Sequence, residues 1–427
     1  MKHTVEEVIL KNGARGLVID VAGAQVLSTQ FHFRAGYRFV RDNSIYETAH
    51  IMEHMAFGAS KSFKDAHAYE AEFTKNGAYH NAYTSDNSMV YVAECASFEW
   101  ERVLDLQRVA ITEPLFLQDE FEAELGNVKS ELTGYLNVPN RILWPKVAQE
   151  LGEDVLTYQE RLNQLGDISL EDIKEHYKRT HTGGNMRFVV AGDFGGNPSK
   201  LISMLNEWEL PEGDRLPIPV DEMHSAEPFM IRRKDAPNVT FGWSMVMSRR
   251  LSDEESDAMD CLNHILTGTL HSRILGKARK KGLVYHMFSD TSAFEHNSSW
   301  DIGAQANSDN VDAVMDIVVG EMKGILAGKL DDEDIEAAKS YALGRHQMGA
   351  QTASQINSWY SNRYFFDGKI EDFDGQPDVI NAVSKDQIID TAMQFFDAQC
   401  WTLGGYGNGD KALVAQLADK LTPLFEQ

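Results

Sequence analysis

His50 and His54 stand four residues apart in the segment Tyr46 to Phe57, with Glu53 beside the second: His50-Ile51-Met52-Glu53-His54, the pattern H-x-x-E-H. The surrounding residues are apolar at helical spacing. On a helix, positions i and i+4 share a face, so the two imidazoles are placed to hold one metal ion. Two imidazoles suit zinc. Glu53 adjoins His54 on the neighbouring part of that face, close enough to act on a water at the metal without being a ligand. A Lewis acid with a carboxylate base beside it is the chemistry of peptide-bond hydrolysis. The pattern is the inverse of the commoner H-E-x-x-H. Five-residue patterns also arise by chance, and paired His occur as plain core or surface residues. The remaining parts of a site must therefore be sought elsewhere in the chain.

A catalytic zinc needs three protein ligands and one open position. Cysteine does not supply the third. The three Cys (Cys95, Cys261, Cys400) are far apart and sit in apolar or strand-like sequence. They read as buried free thiols, neither a disulfide framework nor a cysteine zinc site. The helical segment from Leu117 to Tyr135 carries Glu120, Glu122, Glu124 and Glu131. Glu124 and Glu131 lie two turns apart on one face, so one could ligate while the other supports a ligand from behind. Spacing alone does not choose Glu131 from its neighbours. Glu120 and Glu122 read as solvated charges.

The elements that must position these residues repeat. The segment from Val26 to Val40 alternates as a strand does. Ser44 to Ala59 reads as the motif helix, and Phe63 to Lys75 as a second helix stopped by Asn76-Gly77. Tyr79 to Glu94 reads as strands around a turn at Ser85-Asp86-Asn87, followed by helices from Phe98 to Ile111 and Leu117 to Tyr135. Laid on the second half, His54 falls on His264 and Gly58 on Gly268. At the same offset Lys129-Ser130 falls on Lys339-Ser340, and the strand Arg187 to Asp193 resembles Cys400 to Gly405. A constant offset at separated places indicates two copies of one domain. Residues 1–210 and 229–427 are the expected domains. The aperiodic stretch 211–228, with Pro211, Pro217, Pro219 and Pro228, is the expected linker. In the second copy the first ligand position is Asp260, the base position is Asn263, and Tyr341 stands where Glu131 does. Only His264 survives, so one zinc per chain is expected, with the second domain serving as a wall for substrate.

With these residues in view, the chain resembles the M16 metallopeptidases, the inverzincin family of pitrilysin, insulin-degrading enzyme and the mitochondrial processing peptidases. The resemblance runs through nearly the whole chain. It includes Phe33-Arg34-Ala35-Gly36, the motif helix with Phe57-Gly58, the run Asn76 to Thr84, and Arg279-Lys280-Lys281-Gly282-Leu283-Val284-Tyr285. It implies that Glu131 is the third ligand and Glu124 its supporting carboxylate. It implies an α+β fold of two homologous sandwich domains, each a mostly antiparallel sheet packed on helices, together a half-shell. A chain of this length implies a homodimer, or a heterodimer with a related chain, enclosing a chamber. Peptide substrate would add as a strand at Asn81, Ala82 and Thr84, a mode in which backbone bonds give affinity without much sequence choice. Tyr285 would contact substrate or a developing oxyanion. Family members commonly carry Arg at the position of Ala278; here Arg279 is the neighbour and the candidate for that substrate contact, so either the loop is one residue shorter or the Arg role is absent. Phe57-Gly58-Ala59 is tighter than the usual Phe-x-Gly.

Composition narrows the alternatives. The chain has 427 residues, 43% hydrophobic and 10% aromatic, which is globular and too long for one core. A net charge of −25 disfavours nucleic acid. An acidic interior would favour basic peptides, although such charge is commonly a solvated surface. No apolar leader and no membrane-spanning stretch is evident, which reads as a cytoplasmic protein without a membrane partner. The competing readings are a proteolytically idle subunit, a peptide-binding scaffold, and a LuxS-like metal-dependent lyase. The lyase family shares H-x-x-E-H but is shorter, unduplicated and needs a Cys near its metal.

Overall fold

Alternation in the sequence becomes strands wherever one face can be buried. A computed structural model describes residues 1–426. Among them eleven strands form two sheets. The first sheet contains β1 (His3–Ile9), β2 (Arg15–Val21), β3 (Val26–Phe33), β4 (Tyr79–Thr84), β5 (Met89–Ala96) and β6 (Met186–Gly192), in the order β1-β2-β6-β3-β5-β4. The second contains β7 (Phe229–Arg232), β8 (Asn238–Met247), β9 (Val284–Ala293), β10 (Ser298–Asn307) and β11 (Trp401–Gly407), in the order β7-β11-β8-β10-β9. Each sheet has one parallel pair, β2 with β6 and β7 with β11, and is otherwise antiparallel. Apart from the extra β1, the two orders match strand for strand, as duplication requires. The fold is α+β, with both sheets packed on helices.

The chain divides into two compact units. One comprises residues 1–133, 159–219 and 348–373, and the other 134–158, 220–347 and the segment from 374 onward. Each unit thus takes a helix from the other half of the sequence. In the first unit, Ala353–Asp367 buries Ile356, Tyr360 and Tyr364 against Leu17, Ile19 and Val189 of the sheet. Its Asn357 is wholly buried and donates to the carbonyls of Ser28 (2.9 Å) and Val189 (3.0 Å). In the second unit, Pro139–Glu150 packs Leu143 and Val147 with Val246 and Tyr406. Trp144 there occupies space that a Cβ at Gly242 or Gly303 would enter at 3.0 Å. Division of the chain into 1–210 and 229–427 therefore does not describe these two helices, because packing assigns each to the opposite sheet. Residues 208–228 carry no regular element, and the units change between 219 and 220.

Local differences from the sequence reading have local causes. The strand β3 ends at Phe33 and does not reach Val40. Gly36 lies against the β4–β5 turn, where an added Cβ would come within 2.1 Å of the Ser85 carbonyl. The amides of Tyr37 and Arg38 then donate to Ser85 and Asp86 (3.1 and 2.8 Å), which pins a short 3₁₀ turn, Tyr37–Phe39. The motif helix is Thr48–Ala56, shorter than expected, because Asp42 accepts from the Ser44 amide (2.9 Å) and holds Asn43–Ile45 in a separate 3₁₀ turn. The next helix begins at Ala66, where the Asp65 side chain accepts from the Ala68 amide. Among the described residues the three Cys are free, and no helix is long and apolar enough to cross a membrane.

Around Trp243 and Trp300, both fully buried, the second sheet carries one costly charge. Asp301 lies opposite Ser244 on one side and Asp290 on the other. Burial pushes its carboxyl up to about 6 against the bonds from Ser244 and Ser299, and Asp290 adds to the rise. The unfolded value is near 3.9. Between these values the folded state holds the extra proton, so this stabilising contribution is fully present below about pH 4 and is lost as pH rises through about 6. Asp301→Asn removes the charge. We expect it to raise stability at pH 8 by about 1–2 kcal/mol, with the difference vanishing near pH 4. Thermal melts across that range check this; a lower midpoint for the variant at pH 8 would contradict it.

Candidate functional site

The motif helix buries Ile51, Met52 and Met55 almost completely, which aims the opposite face at the long helix Gln118–Tyr135. His50 and His54 stand edge to face, ring centres 4.8 Å apart. The Nε2 atoms of His50 and His54 lie 3.5 and 3.7 Å from Glu131 Oε2. Among the described residues these three form the one group of His, Cys, Asp or Glu side chains able to share an ion, with their candidate ligand atoms within 4.8 Å of one another.

The opposite nitrogen of each ring is already engaged. His50 Nδ1 is 2.9 Å from Glu47 Oε2, and His54 Nδ1 is 2.9 Å from Glu124 Oε2. A ring that donates from Nδ1 to a carboxylate keeps its lone pair on Nε2, the side facing Glu131. Two imidazoles so held, with a carboxylate between them, could hold a metal ion. Glu124 also accepts from Asn127 Nδ2 (3.1 Å), and the His54 bond holds its carboxyl below the usual range. Glu47 is wholly buried; burial alone would raise it, but His50 and Arg161 hold it low. Glu53 is 9% exposed, and burial raises its carboxyl above the ordinary value despite the two histidines. Glu120, read from sequence as a solvated charge, instead accepts the Ala59 amide at 2.8 and 3.0 Å. It closes the end of the motif helix, and Gly58 makes room for it, since a Cβ there would meet Glu120 Oε2 at 2.7 Å. Glu122 does face solvent, with Gln118 donating to it.

Two family models match the chain: one described as insulinase (peptidase family M16) over residues 36–150, and one described as peptidase M16 inactive domain over residues 167–341. The chain belongs to the M16 peptidase family. An uncharacterized zinc protease of Rickettsia felis is 22% identical over 409 residues, covering 93% of this chain and 96% of that one. The mitochondrial-processing peptidase subunit beta of Saccharomyces cerevisiae is 20% identical over 367 residues, covering 80% and 78%. Among solved structures, a protease from Helicobacter pylori aligns with a TM-score of 0.84 at 17% identity, over 95% of this chain and 100% of that chain. A peptidase M16 inactive domain from Pseudomonas fluorescens aligns at 0.82 and 16%, over 95% and 98%. At these identities the structural likeness establishes the M16 fold.

The other residues singled out from sequence are distributed over both units. Asn81 is exposed, Ala82 buried and Thr84 half-buried on β4, an edge strand of the first sheet. Tyr285 is the second residue of β9, an edge strand of the second sheet, and is 83% exposed. The pairing of β9 slips between Ala304 and Ala306, so Tyr285 and His286 together oppose Gln305 in a bulge. Arg279 lies over the Tyr285 ring (4.3 Å) and donates to the Tyr285 carbonyl (2.5 Å). In the second copy the helix Asp253–Asn263 loosens into a π turn, His264–Gly268. The His264 ring stacks on Tyr341, centres 4.1 Å apart. Asn263 donates to Thr291 Oγ1 and accepts from Trp300 Nε1, both at 2.9 Å. Asn263, His264 and Tyr341 are thus engaged in contacts within the second unit, whereas Asp260 is exposed. Glu47 and Arg161 were not evident from sequence. The three-residue spacing from Glu47 to His50 was a usable signal, whereas nothing local points to Arg161.

Proposed function

We propose that this chain is a zinc-dependent endopeptidase for unfolded peptides. The observation that carries the reading is the paired arrangement at the two histidines: each Nδ1 is held by a carboxylate, and each Nε2 faces Glu131. His50, His54 and Glu131 would hold one zinc ion. Bound there, zinc would supply Lewis acidity toward a peptide carbonyl and lower the pKa of water. Glu53 accepts the proton of the attacking water and delivers it to the leaving amine. Burial raises its carboxyl above the ordinary value, which favours proton uptake by a general base. Glu124 orients His54. Substrate pairs as an added strand along β4 at Asn81, Ala82 and Thr84, so backbone geometry rather than side-chain identity selects it. Tyr285 serves as a substrate or oxyanion contact, with Arg279 stacked on it to fix its ring. The second copy, with Asp260, Asn263, His264 and Tyr341, contributes no ligands.

Glu53→Gln keeps shape and one hydrogen-bonding oxygen but cannot accept a proton. We expect it to retain zinc and to lose about 10²–10⁴-fold in turnover of a quenched peptide. Equal turnover in the variant would remove Glu53 from the mechanism, and no turnover in the wild type would favour an idle subunit or scaffold. We further propose that the active form is a homodimer, or a heterodimer with a related chain lacking H-x-x-E-H; closed two-fold pairs are the commonest assembly. Light scattering on protein turning over substrate should report a dimer. Full activity at concentrations where only monomer is present would defeat that part of the proposal.

A further inference from the structure

We propose that Glu47 is a positioning residue that sets His50 for metal binding, and that Arg161 is what holds the Glu47 side chain in place in the interior. This rests on the zinc reading above and extends it to residues outside the H-x-x-E-H pattern. Glu47 stands at the start of the motif helix, one turn before His50 on the same face. It is wholly buried and accepts from two donors, Nδ1 of His50 (2.9 Å) and Nε of Arg161. Arg161, 7% exposed, also donates from Nη2 to the Tyr37 hydroxyl (2.6 Å), and its guanidinium lies 4.3 Å from the centre of the Tyr37 ring. The Tyr37 ring in turn stacks on Tyr46, centres 4.9 Å apart and nearly parallel. The series His50–Glu47–Arg161–Tyr37 therefore runs through the interior from the metal ligand to the 3₁₀ turn pinned by β4 and β5.

The chemistry requires both partners. A carboxylate behind a ligating imidazole fixes its tautomer and orientation and raises its basicity. A carboxylate left alone in the interior would be strongly unfavourable, and Arg161 supplies the counter-charge. The two histidines differ here. The Glu124 side chain is 25% exposed and the Glu47 side chain 0%. Water is available to replace the Glu124 oxygen at His54, but not the Glu47 oxygen at His50. A glutamine at 47 has only one accepting oxygen, so its amide NH₂ must meet either Arg161, donor against donor, or His50 Nδ1, which then accepts and moves the ring proton to Nε2, where it blocks a metal. Loss of Glu47 should thus weaken metal binding more than loss of Glu124, although Glu47 lies outside the motif.

The test is zinc affinity by competition with a chromophoric chelator. It compares the full-length wild type, Glu47→Gln, Glu124→Gln and His50→Ala. Visible spectra of the cobalt-substituted forms and melting curves of the metal-free forms are recorded alongside. We expect Glu47→Gln to bind zinc about 10–100-fold more weakly than wild type, the usual range for loss of such a partner, and more weakly than Glu124→Gln. Its cobalt bands should shift, which a merely structural lesion would not produce. Should Glu47→Gln fail to fold, the double variant Glu47→Leu/Arg161→Met removes both buried charges and every acceptor for His50 Nδ1 and is expected to fold; the same loss of affinity is predicted for it. Affinity and cobalt bands equal to wild type in the folded variant, while His50→Ala abolishes uptake, would overturn the role of Glu47 and leave the zinc reading standing. Zinc uptake by His50→Ala equal to that of wild type would overturn both.

Discussion

An imidazole has two nitrogens, and a metal site works only if the correct one carries the lone pair. In this chain that constraint is met by carboxylates behind both rings, Glu47 at His50 and Glu124 at His54. Several contacts of the first unit converge on these two bonds. The motif helix must start at Thr48 for Glu47 to turn inward. Arg161 must reach it from Tyr158–Gln164, and Tyr37 must hold Arg161. Gly36 allows the chain to lie against the β4–β5 turn and so places Tyr37. Glu120 closes the other end of the helix at Ala59. The ionised groups here sit in low-dielectric surroundings, where each is tolerable only because its partner is present.

The second copy keeps the same strand order around different side-chain contacts. Hydrophobic burial in the sheet holds that order. The helix after Asn263 widens into a π turn, His264 stacks on an aromatic ring, and Asn263 bonds to Thr291 and Trp300. Gly268 is still needed, now to clear the His264 ring, which an added Cβ would approach to 2.4 Å at Nδ1. The same glycine position thus serves a carboxylate in one copy and an imidazole in the other.

Alternation and a constant offset carried several strands of the first half and the duplication, the α+β class came with the family resemblance, and the strand order was seen only in the structure. The helix spacing put His50, His54 and Glu53 on one side, while choosing Glu131 and Glu124 needed the family resemblance, since a long helix with four Glu offers several equal faces. Two features were hidden for physical reasons. The exchange of Pro139–Glu150 and Ala353–Asp367 between the sheets leaves each helix's apolar pattern unchanged, so nothing in the pattern says which sheet it covers. Arg161 is far from Glu47 in sequence, and an Arg on a short helix looks like a surface charge until its partner is seen. Glu120 failed for the same reason: its bond is to a backbone amide at Ala59, and amides leave no mark in a sequence.

The central claim is that one zinc ion binds at the face shared by His50, His54 and Glu131. Crystals of the protein loaded with zinc, measured on both sides of the zinc absorption edge, test it most directly. The account predicts one anomalous peak per chain, bounded by the two Nε2 atoms and the Glu131 carboxylate, and none beside His264 and Tyr341. A zinc peak at His264, or no peak at His50 and His54 in crystals shown to contain zinc, would contradict it.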